Sequence, residues 1–429
     1  MTEALILMSM FVMIAIGVPI AVAILASALT GMWLLNGHLG FLNAALSIYD
    51  GATSFPLIAI PLFILAGALM NTGGISTRLI AFVSALIGFV RGGLAMVNVG
   101  VSMFFAEISG SAVADVAATG SVLIPAMKKK GYSPRFAAAV TSSSASLAII
   151  IPPSIPMILY GALSDTSIVQ LFVAGIVPGL LGGILLMSLC YYFAVRYDLP
   201  REERFSLCRV WTATRDAAWA LILPVIILGG IFGGLVTATE GAALAVVTAL
   251  FIGVFIYREI DLRRLYAAMV DGVLQTSTVM LLVATSAVLG LYLTETEMPQ
   301  RLAAGITEIT TNRIAVLMII NVFLLFVGMV LHGAAAIILT VPIFMPLVNQ
   351  LGIDPVHFGI LLTLNIALGQ QTPPVASVLV TACSIAKTDV WGTTRTNLPF
   401  IAVLVMVLMM VTYIPAIPLW LVGVFYGPG

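Results

Sequence analysis

Long stretches of this 429-residue sequence contain no Asp, Glu, Lys or Arg, among them Ala4–Leu35, Leu221–Leu235, Ala242–Ile256 and Phe400–Val424. In a bilayer such runs can satisfy their backbone groups only as helices or closed barrels, so runs this long read as membrane-spanning helices. Charged side chains make up 8% of the chain, against about 25% in an ordinary soluble domain, and 61% of residues are hydrophobic. So few charges cannot cover a water-soluble fold of this size. The ten-residue alternation of an outer-membrane barrel is absent. The expected fold is an all-α polytopic membrane protein.

The same composition excludes several chemistries. With 18 Lys+Arg against 18 Asp+Glu and no basic stripe, nucleic acid is not an expected partner. Cys190, Cys208 and Cys383 lie too far apart to suggest a disulfide or metal framework, and His38, His332 and His357 are isolated. The four lysines are Lys128, Lys129, Lys130 and Lys387, and none follows a glycine in a phosphate-cradling loop, so an internal ATP motor is excluded. No paired nucleophile and base, His-Glu-x-x-His helix or acidic dyad points to an enzyme. Work must come from an ion gradient or from downhill flow. The start of the sequence shows no basic leader or small-residue cleavage site, so the first apolar run is expected to stay as a helix.

The most polar stretch, Arg196–Asp216, carries Arg196, Arg201, Arg204, Arg209 and Arg215 and is placed in the cytoplasm. Counting spans outward from it puts Arg258, Arg263 and Arg264 inside, together with Lys128–Lys130 and Arg135. The lysine triplet reads as a topological anchor. Arg78, Arg91 and Arg313, at membrane edges, are expected to snorkel to headgroups. Glu240 opens an apolar helix as a first-turn acid, with Thr239 as its cap.

An ungapped shift of 221 positions reveals a repeat. Pro125, Gly131, Pro134, Pro152, Pro153 and Pro178 fall on Pro346, Gly352, Pro355, Pro373, Pro374 and Pro399. All five prolines between 346 and 399 find a proline partner, which coincidence does not explain at about 5% average usage. Four basic residues occupy 128–135 and none occupies 349–356, so one loop reads as inside and the other as outside. The expected domains are inverted-topology repeats, 1–216 and 217–429. Each holds a re-entrant hairpin (about 92–127 and 314–348) and a helix broken at Pro-Pro (about 136–163 and 357–386). Irregular backbone at membrane depth is tolerated only beside protein or water, and the paired prolines free carbonyls a turn earlier.

Hairpin tips and broken helices place helix ends face to face near mid-bilayer. Helix N-termini suit a substrate carboxylate, while freed carbonyls suit a hard cation such as Na⁺. The tips offer Ser109, Gly110 and Ser111 in one copy and His332 and Gly333 in the other. Gly369 and Thr372 are candidate carbonyl and hydroxyl ligands of one ion, and Ala148 and Ile151 take the same backbone roles by the 221 shift. Ser144, Ser146, Asn365 and Gln370 lie beside the breaks, Ser144, Asn365 and Gln370 as candidates for the substrate. The cluster Thr141–Ser144 also suits close packing of small residues. Asp115 belongs with the substrate or cation candidates, or caps the first turn of its own helix.

In order and spacing, several segments resemble the large membrane subunit of a TRAP (tripartite ATP-independent periplasmic) transporter over nearly the whole length. They are Ser54-Phe-Pro-Leu-Ile-Ala-Ile-Pro-Leu-Phe63, Gly92-Gly-Leu-Ala95, Ile108-Ser-Gly-Ser-Ala-Val-Ala-Asp115, Ile124-Pro-Ala-Met-Lys-Lys-Lys-Gly-Tyr132, Pro152-Pro-Ser154, Leu171-Phe-Val-Ala-Gly-Ile-Val-Pro-Gly-Leu180 and Gly369–Pro374. A departure is Thr237-Ala-Thr-Glu240, where the family usually has Pro before Thr-Glu. The resemblance implies an elevator in the bacterial inner membrane, with a static scaffold and a moving transport domain driven by Na⁺. It implies a periplasmic binding protein that delivers a small organic acid (C4-dicarboxylate or sialic acid type), a separate small membrane subunit, and lipid around both. By the same carry-over, sodium site 1 uses Ser109, Gly110, Ser111, Ser146, Ala148 and Ile151, and sodium site 2 uses Gly333, Gly369, Thr372 and Val375. A stand-alone sodium/carboxylate symporter needing no binding protein is the alternative.

Overall fold

Proline and glycine decide where the apolar runs break. The computed structural model describes residues 2–201, 205–310 and 312–427, apart from the side chains of residues 2–4, 107–109, 307 and 309. The first run is two helices, α1 (Thr2–Ala15) and α2 (Ile20–Asn36), rather than the single one expected. Gly17 takes φ +93°, and Pro19, which lacks an N–H, stands at the start of α2. Next come α3 (His38–Thr53), α4 (Ala59–Thr72) and α5 (Ile75–Ile87). A hairpin follows, α6 (Gly93–Ser109) and α7 (Ala112–Lys129), then the broken pair α8 (Pro134–Ala145) and α9 (Ile155–Ser164), and α10 (Ile168–Arg196).

The polar stretch after α10 is partly helical, because α11 (Leu207–Phe232) starts nine residues before that stretch's expected end at Asp216, capped by Ser206. After α12 (Ala238–Phe251), the 34-residue α13 (Leu262–Glu295) is about 51 Å long at 1.5 Å per residue, well beyond a hydrocarbon core of about 30 Å. It packs along α2, α3 and α4. Then come α14 (Met298–Ile309), the second hairpin α15 (Arg313–Val330) and α16 (Gly333–Gln350), and the second broken pair α17 (Pro355–Gly369) and α18 (Ser377–Ala386). The run Phe400–Val424 divides at Pro415 between α19 (Val390–Tyr413) and α20 (Ala416–Tyr426). Among the described residues, eight helical segments are long and apolar enough to cross a membrane.

Shifting α7 by 221 lands on α16 at both ends, 112–129 becoming 333–350, and the first residue of α8 lands on that of α17. The hairpin arms hold 17 or 18 residues each, about 27 Å at most. The two copies exchange partners: α9 packs against α16, and α18 packs against α7 and α8. Polar contacts fasten the exchange at one edge. Lys128 Nζ donates to the Ala386 carbonyl at 2.9 Å, and Arg135 Nη2 lies 2.6 Å from Asp389 Oδ1. The lysine triplet therefore does more than mark a membrane side.

Two further expectations change. Thr237, not Thr239, caps α12: its Oγ1 accepts from Glu240 N, and Glu240 Oε2 accepts from Thr237 N at 2.7 Å. The acid stands three positions after the cap in that reciprocal box, a spacing Thr239 cannot provide. The edge arginines turn to protein groups. Arg78 pairs with Glu259 at 2.6 Å and lies 3.8 Å over the Tyr257 ring, Arg91 reaches Asp198 at 3.5 Å, and Arg313 Nε donates to the Leu351 carbonyl at 2.8 Å. Each has an acceptor on the protein within reach.

Candidate functional site

Each hairpin tip carries a glycine at which the chain lies close against its neighbour. Gly110 takes φ +54°, and a Cβ there would come within 3.1 Å of Ile155 N and 3.2 Å of the Pro153 carbonyl. The first tip thus sits on the first break. At the second tip, a Cβ on Gly333 would meet Gln370 Nε2 at 2.7 Å, so that tip sits on the second break. Between α15 and α17 the backbones touch, and a Cβ on Gly369 would be 2.4 Å from the Gly328 carbonyl carbon.

The breaks are hydrogen-bonded structures of their own. Both Pro-Pro bonds, 152–153 and 373–374, are cis. Ser154 Oγ donates to the Ile149 carbonyl at 2.6 Å and accepts from Met157 N, tying the two half-helices together. In the second copy Val375 stands at the shifted position, and its N donates to the Met329 carbonyl at 3.2 Å. Ala376, at φ +48°, then caps α18. The Gly369 carbonyl accepts from Thr372 N at 3.0 Å and from Thr372 Oγ1 at 2.9 Å, so these two candidate ligands are already in contact.

Both tips open onto one cavity of about 400 Å³. Of the expected site residues, Gly110, Ser111, Gly333 and Gln370 line it, joined by His332, while Gln275 and Thr278 of α13 form part of the opposite wall. Among the described lining residues there is no Lys, Arg, Asp or Glu. The positive potential comes from backbone. The first intrahelical bond of α7 is Asp115 N to the Ser111 carbonyl, and that of α16 is Ala336 N to the His332 carbonyl, both 2.9 Å. The N–H groups of residues 112–114 and 333–335 are left without intrahelical acceptors, and two helix N-termini face the same space. A cavity of about 320 Å³ between α1, α14, α15 and α16 is apolar, its Thr340 hydroxyl bonded to the Ala336 carbonyl of its own helix.

The other expected residues lie outside the cavity wall. Ser146, Ala148, Ile151 and Gly369 are buried at the breaks, with Ser146 Oγ donating to the Ser142 carbonyl at 3.2 Å. Ser144 is buried against α6, where Ser102 Oγ donates to Ser144 Oγ at 3.1 Å. Asn365 is buried against α15 and donates to Asn321 Oδ1 at 2.7 Å. Asp115 is fully buried, and neither of its oxygens accepts from the first-turn N–H groups, so it is not a cap. The side chain of Ser109 lies outside the described residues. Asn98, Ser102, Asn321, Asn397, Gln275 and Thr278 escaped the sequence reading. Asn98, Ser102 and Asn321 are isolated polar residues in apolar helices, Gln275 and Thr278 bound a short polar run, and Asn397 ends another; the four-residue spacing of Asn98 and Ser102 was the available signal.

The chain matches a family described as "Tripartite ATP-independent periplasmic transporter, DctM component" over residues 7–417. It is 40% identical over 411 residues to the isethionate TRAP transporter permease protein DctMQ of Oleidesulfovibrio alaskensis, an alignment covering 96% of this chain and 65% of that protein. The chain thus spans a little under two thirds of that relative. The C4-dicarboxylate TRAP transporter large permease protein DctM of Pseudomonas aeruginosa is 40% identical over 378 residues, 88% of each chain. The sialic acid TRAP transporter permease protein SiaT of Haemophilus influenzae is 34% identical over 403 residues, 94% of this chain and 65% of that protein. The crystal structure of the Alcanivorax borkumensis YdaH transporter, described as having an unusual topology, shares the fold with a TM-score of 0.63 at 16% identity, over 92% of this chain and 91% of that one. By its sequence match and its apolar spans, the chain belongs to the DctM family, as a multi-pass large permease subunit of a bacterial inner-membrane TRAP transporter rather than an enzyme.

Proposed function

We propose that this chain carries a small organic acid across the inner membrane by sodium-coupled symport. A periplasmic binding protein delivers the acid, and a small membrane subunit packs on the scaffold. The observation that carries this reading is the pair of helix N-termini, α7 and α16, facing one cavity that holds no cationic side chain among its described lining residues. Dipole ends in a low-dielectric site favour an anion such as a carboxylate. The relatives are named for isethionate, C4-dicarboxylate and sialic acid, all organic acids.

Sodium occupies the two tip-and-break junctions in this reading: Ser109, Gly110, Ser111, Ser146, Ala148 and Ile151 at one, Gly333, Gly369, Thr372 and Val375 at the other. The first is supported by the seating of Gly110 on Pro153 and Ile155, the second by the Gly369–Thr372 contact. Gln370 touches both tip and cavity and orients the acid, with Ser111 and His332 beside it. Ser144, Asn365 and Asp115 act from behind the wall. The two hairpins and broken helices move together as the elevator of two inverted repeats, with α13 as fixed wall.

The test is uptake of succinate, isethionate and sialic acid into proteoliposomes under an inward Na⁺ gradient, with and without the cognate binding protein and small subunit. Uptake that needs all three components and collapses without the gradient is the expected result. Robust Na⁺-driven uptake by this chain alone would replace this reading with a stand-alone symporter.

A further inference from the structure

Asp115, in the first turn of α7, is a fully buried carboxylate, with neither oxygen hydrogen-bonded and no salt bridge to it among the described residues. An ionised carboxylate taken out of water persists only where something compensates its charge. Among the described residues, the polar group beside it is a hydroxyl rather than a cation. Ser102 of α6 is its polar neighbour, Ser102 Oγ donates to Ser144 Oγ of α8 at 3.1 Å, and Ser144 Oγ lies 3.4 Å from Asn98 Oδ1 of α6. All four residues have zero exposure. A line of oxygens therefore runs from the carboxylate between α6, α7 and α8, and none of these four residues lines the cavity.

The second repeat supplies a contrast. Ser144 corresponds to Asn365 and Asp115 to Ala336 under the 221 shift. There the hairpin arm and broken helix are joined by neutral groups: Asn365 Nδ2 donates to Asn321 Oδ1 at 2.7 Å, and Asn321 Nδ2 to Thr412 Oγ1 of α19 at 3.0 Å, while Asn365 Oδ1 has no partner. A polar link between arm and broken helix thus needs no charge. The first repeat nevertheless keeps one.

We propose that the Asp115 carboxylate, with the Ser102 and Ser144 hydroxyls and Asn98 Oδ1, forms a third Na⁺ locus inside the first repeat, separate from both tip-and-break junctions. It rests on the sodium-coupled reading given above. The donor set is all oxygen, which suits a hard cation, and a single carboxylate balances a single positive charge. An ion there fastens the first hairpin to α8 and makes the loaded state of that repeat tighter than the empty one.

Purified chain in lipid nanodiscs is unfolded thermally at rising NaCl, with choline chloride holding ionic strength constant, for the wild type, Asp115→Asn and Ser144→Ala. The wild type is expected to gain stability with Na⁺. Asp115→Asn is expected to match or exceed the wild type without Na⁺, because a buried charge is gone. Its half-saturating Na⁺ is expected to rise roughly tenfold or more, since each tenfold step in affinity corresponds to one good charged contact, and its titration to become shallower. Ser144→Ala moves the same way by less, and serves alone if Asp115→Asn does not fold. Superimposable Na⁺ titrations of variant and wild type would overturn the third locus while leaving sodium coupling standing. A difference that follows pH and ignores Na⁺ would overturn it in favour of a protonated carboxyl. A wild type indifferent to Na⁺ would instead overturn the coupling reading itself.

Discussion

Substituting alanine into the α15–α17 contact separates backbone packing from helix propensity, because the two predict opposite signs. Within a helix, Gly→Ala alone stabilises by roughly 0.5–1 kcal/mol. At Gly369, however, the new Cβ would lie 2.4 Å from the Gly328 carbonyl carbon, 2.5 Å from Gly328 Cα and 2.8 Å from Met329 N. Carbon atoms pack at about 3.5–4.0 Å, so α15 and α17 must move apart locally by ~1 Å, and every atom in the way belongs to backbone. Overpacking of this kind costs about 1–3 kcal/mol, and with no side chain to yield Gly369→Ala belongs at the upper end. Gly328→Ala is milder, because its nearest contact is Gly369 Cα at 3.1 Å. Gly333→Ala meets Gln370 Nε2 at 2.7 Å, the end of a flexible side chain, and should fall within roughly 0.5 kcal/mol of wild type. Thermal unfolding in nanodiscs, followed by tryptophan fluorescence, should rank the variants 369 far below 328, and 328 below 333. Equal midpoints for Gly369→Ala and Gly333→Ala, or a gain at 369, would refute the close approach of the two backbones.

Three more outcomes are specific. Ser154→Ala removes the cap of α9 and orphans the buried Ile149 carbonyl, so a loss of about 2 kcal/mol is expected, and Ser154→Thr should recover much of it in the same unfolding assay. Bonds from Gly392 N and then Arg135 hold the Asp389 carboxyl below its ordinary value of 3.8. The stability from this depressed pKa is therefore full above that value and lost as pH falls through the lower folded one. Asp389→Asn should destabilise at neutral pH and converge with wild type only at strongly acid pH, and a constant difference across the titration would contradict this. Single cysteines in the loops at Gly131 and Gly352, in a background lacking the exposed Cys208, should react with an impermeant thiol reagent from opposite membrane faces; labelling from one face would rule out the inverted arrangement.

The hairpins, their tips and both breaks were legible because proline and glycine write local geometry directly into sequence. Pro134 and Pro355 open their helices, and Gly110 marks the first turn. Apolar length was a poorer guide: hydropathy does not register the Gly17–Pro19 break, so one run hid two helices. The cap at Thr237 was readable from the Thr-x-x-Glu spacing, but the nearer Thr239 distracted from it. What sequence could not supply was pairing at long range. Nothing near Arg135 announces Asp389, 254 positions on, and nothing near Ser144 separates a residue on the cavity from one buried behind it against Ser102. Those choices are made by how the two copies pack, which no local pattern encodes.

The exchange of partners between the copies has a consequence for biogenesis. While the ribosome is still making residues beyond 164, α9 has no α16 to rest on, and α7 must wait for α18, which is complete only at Ala386. Until then the early half holds polar groups such as Lys128 and Arg135 without their later acceptors. The full set of contacts that joins the two copies can therefore form only after residue 386 has been made. Severing the polypeptide midway would leave two fragments that assemble correctly only if both are present together.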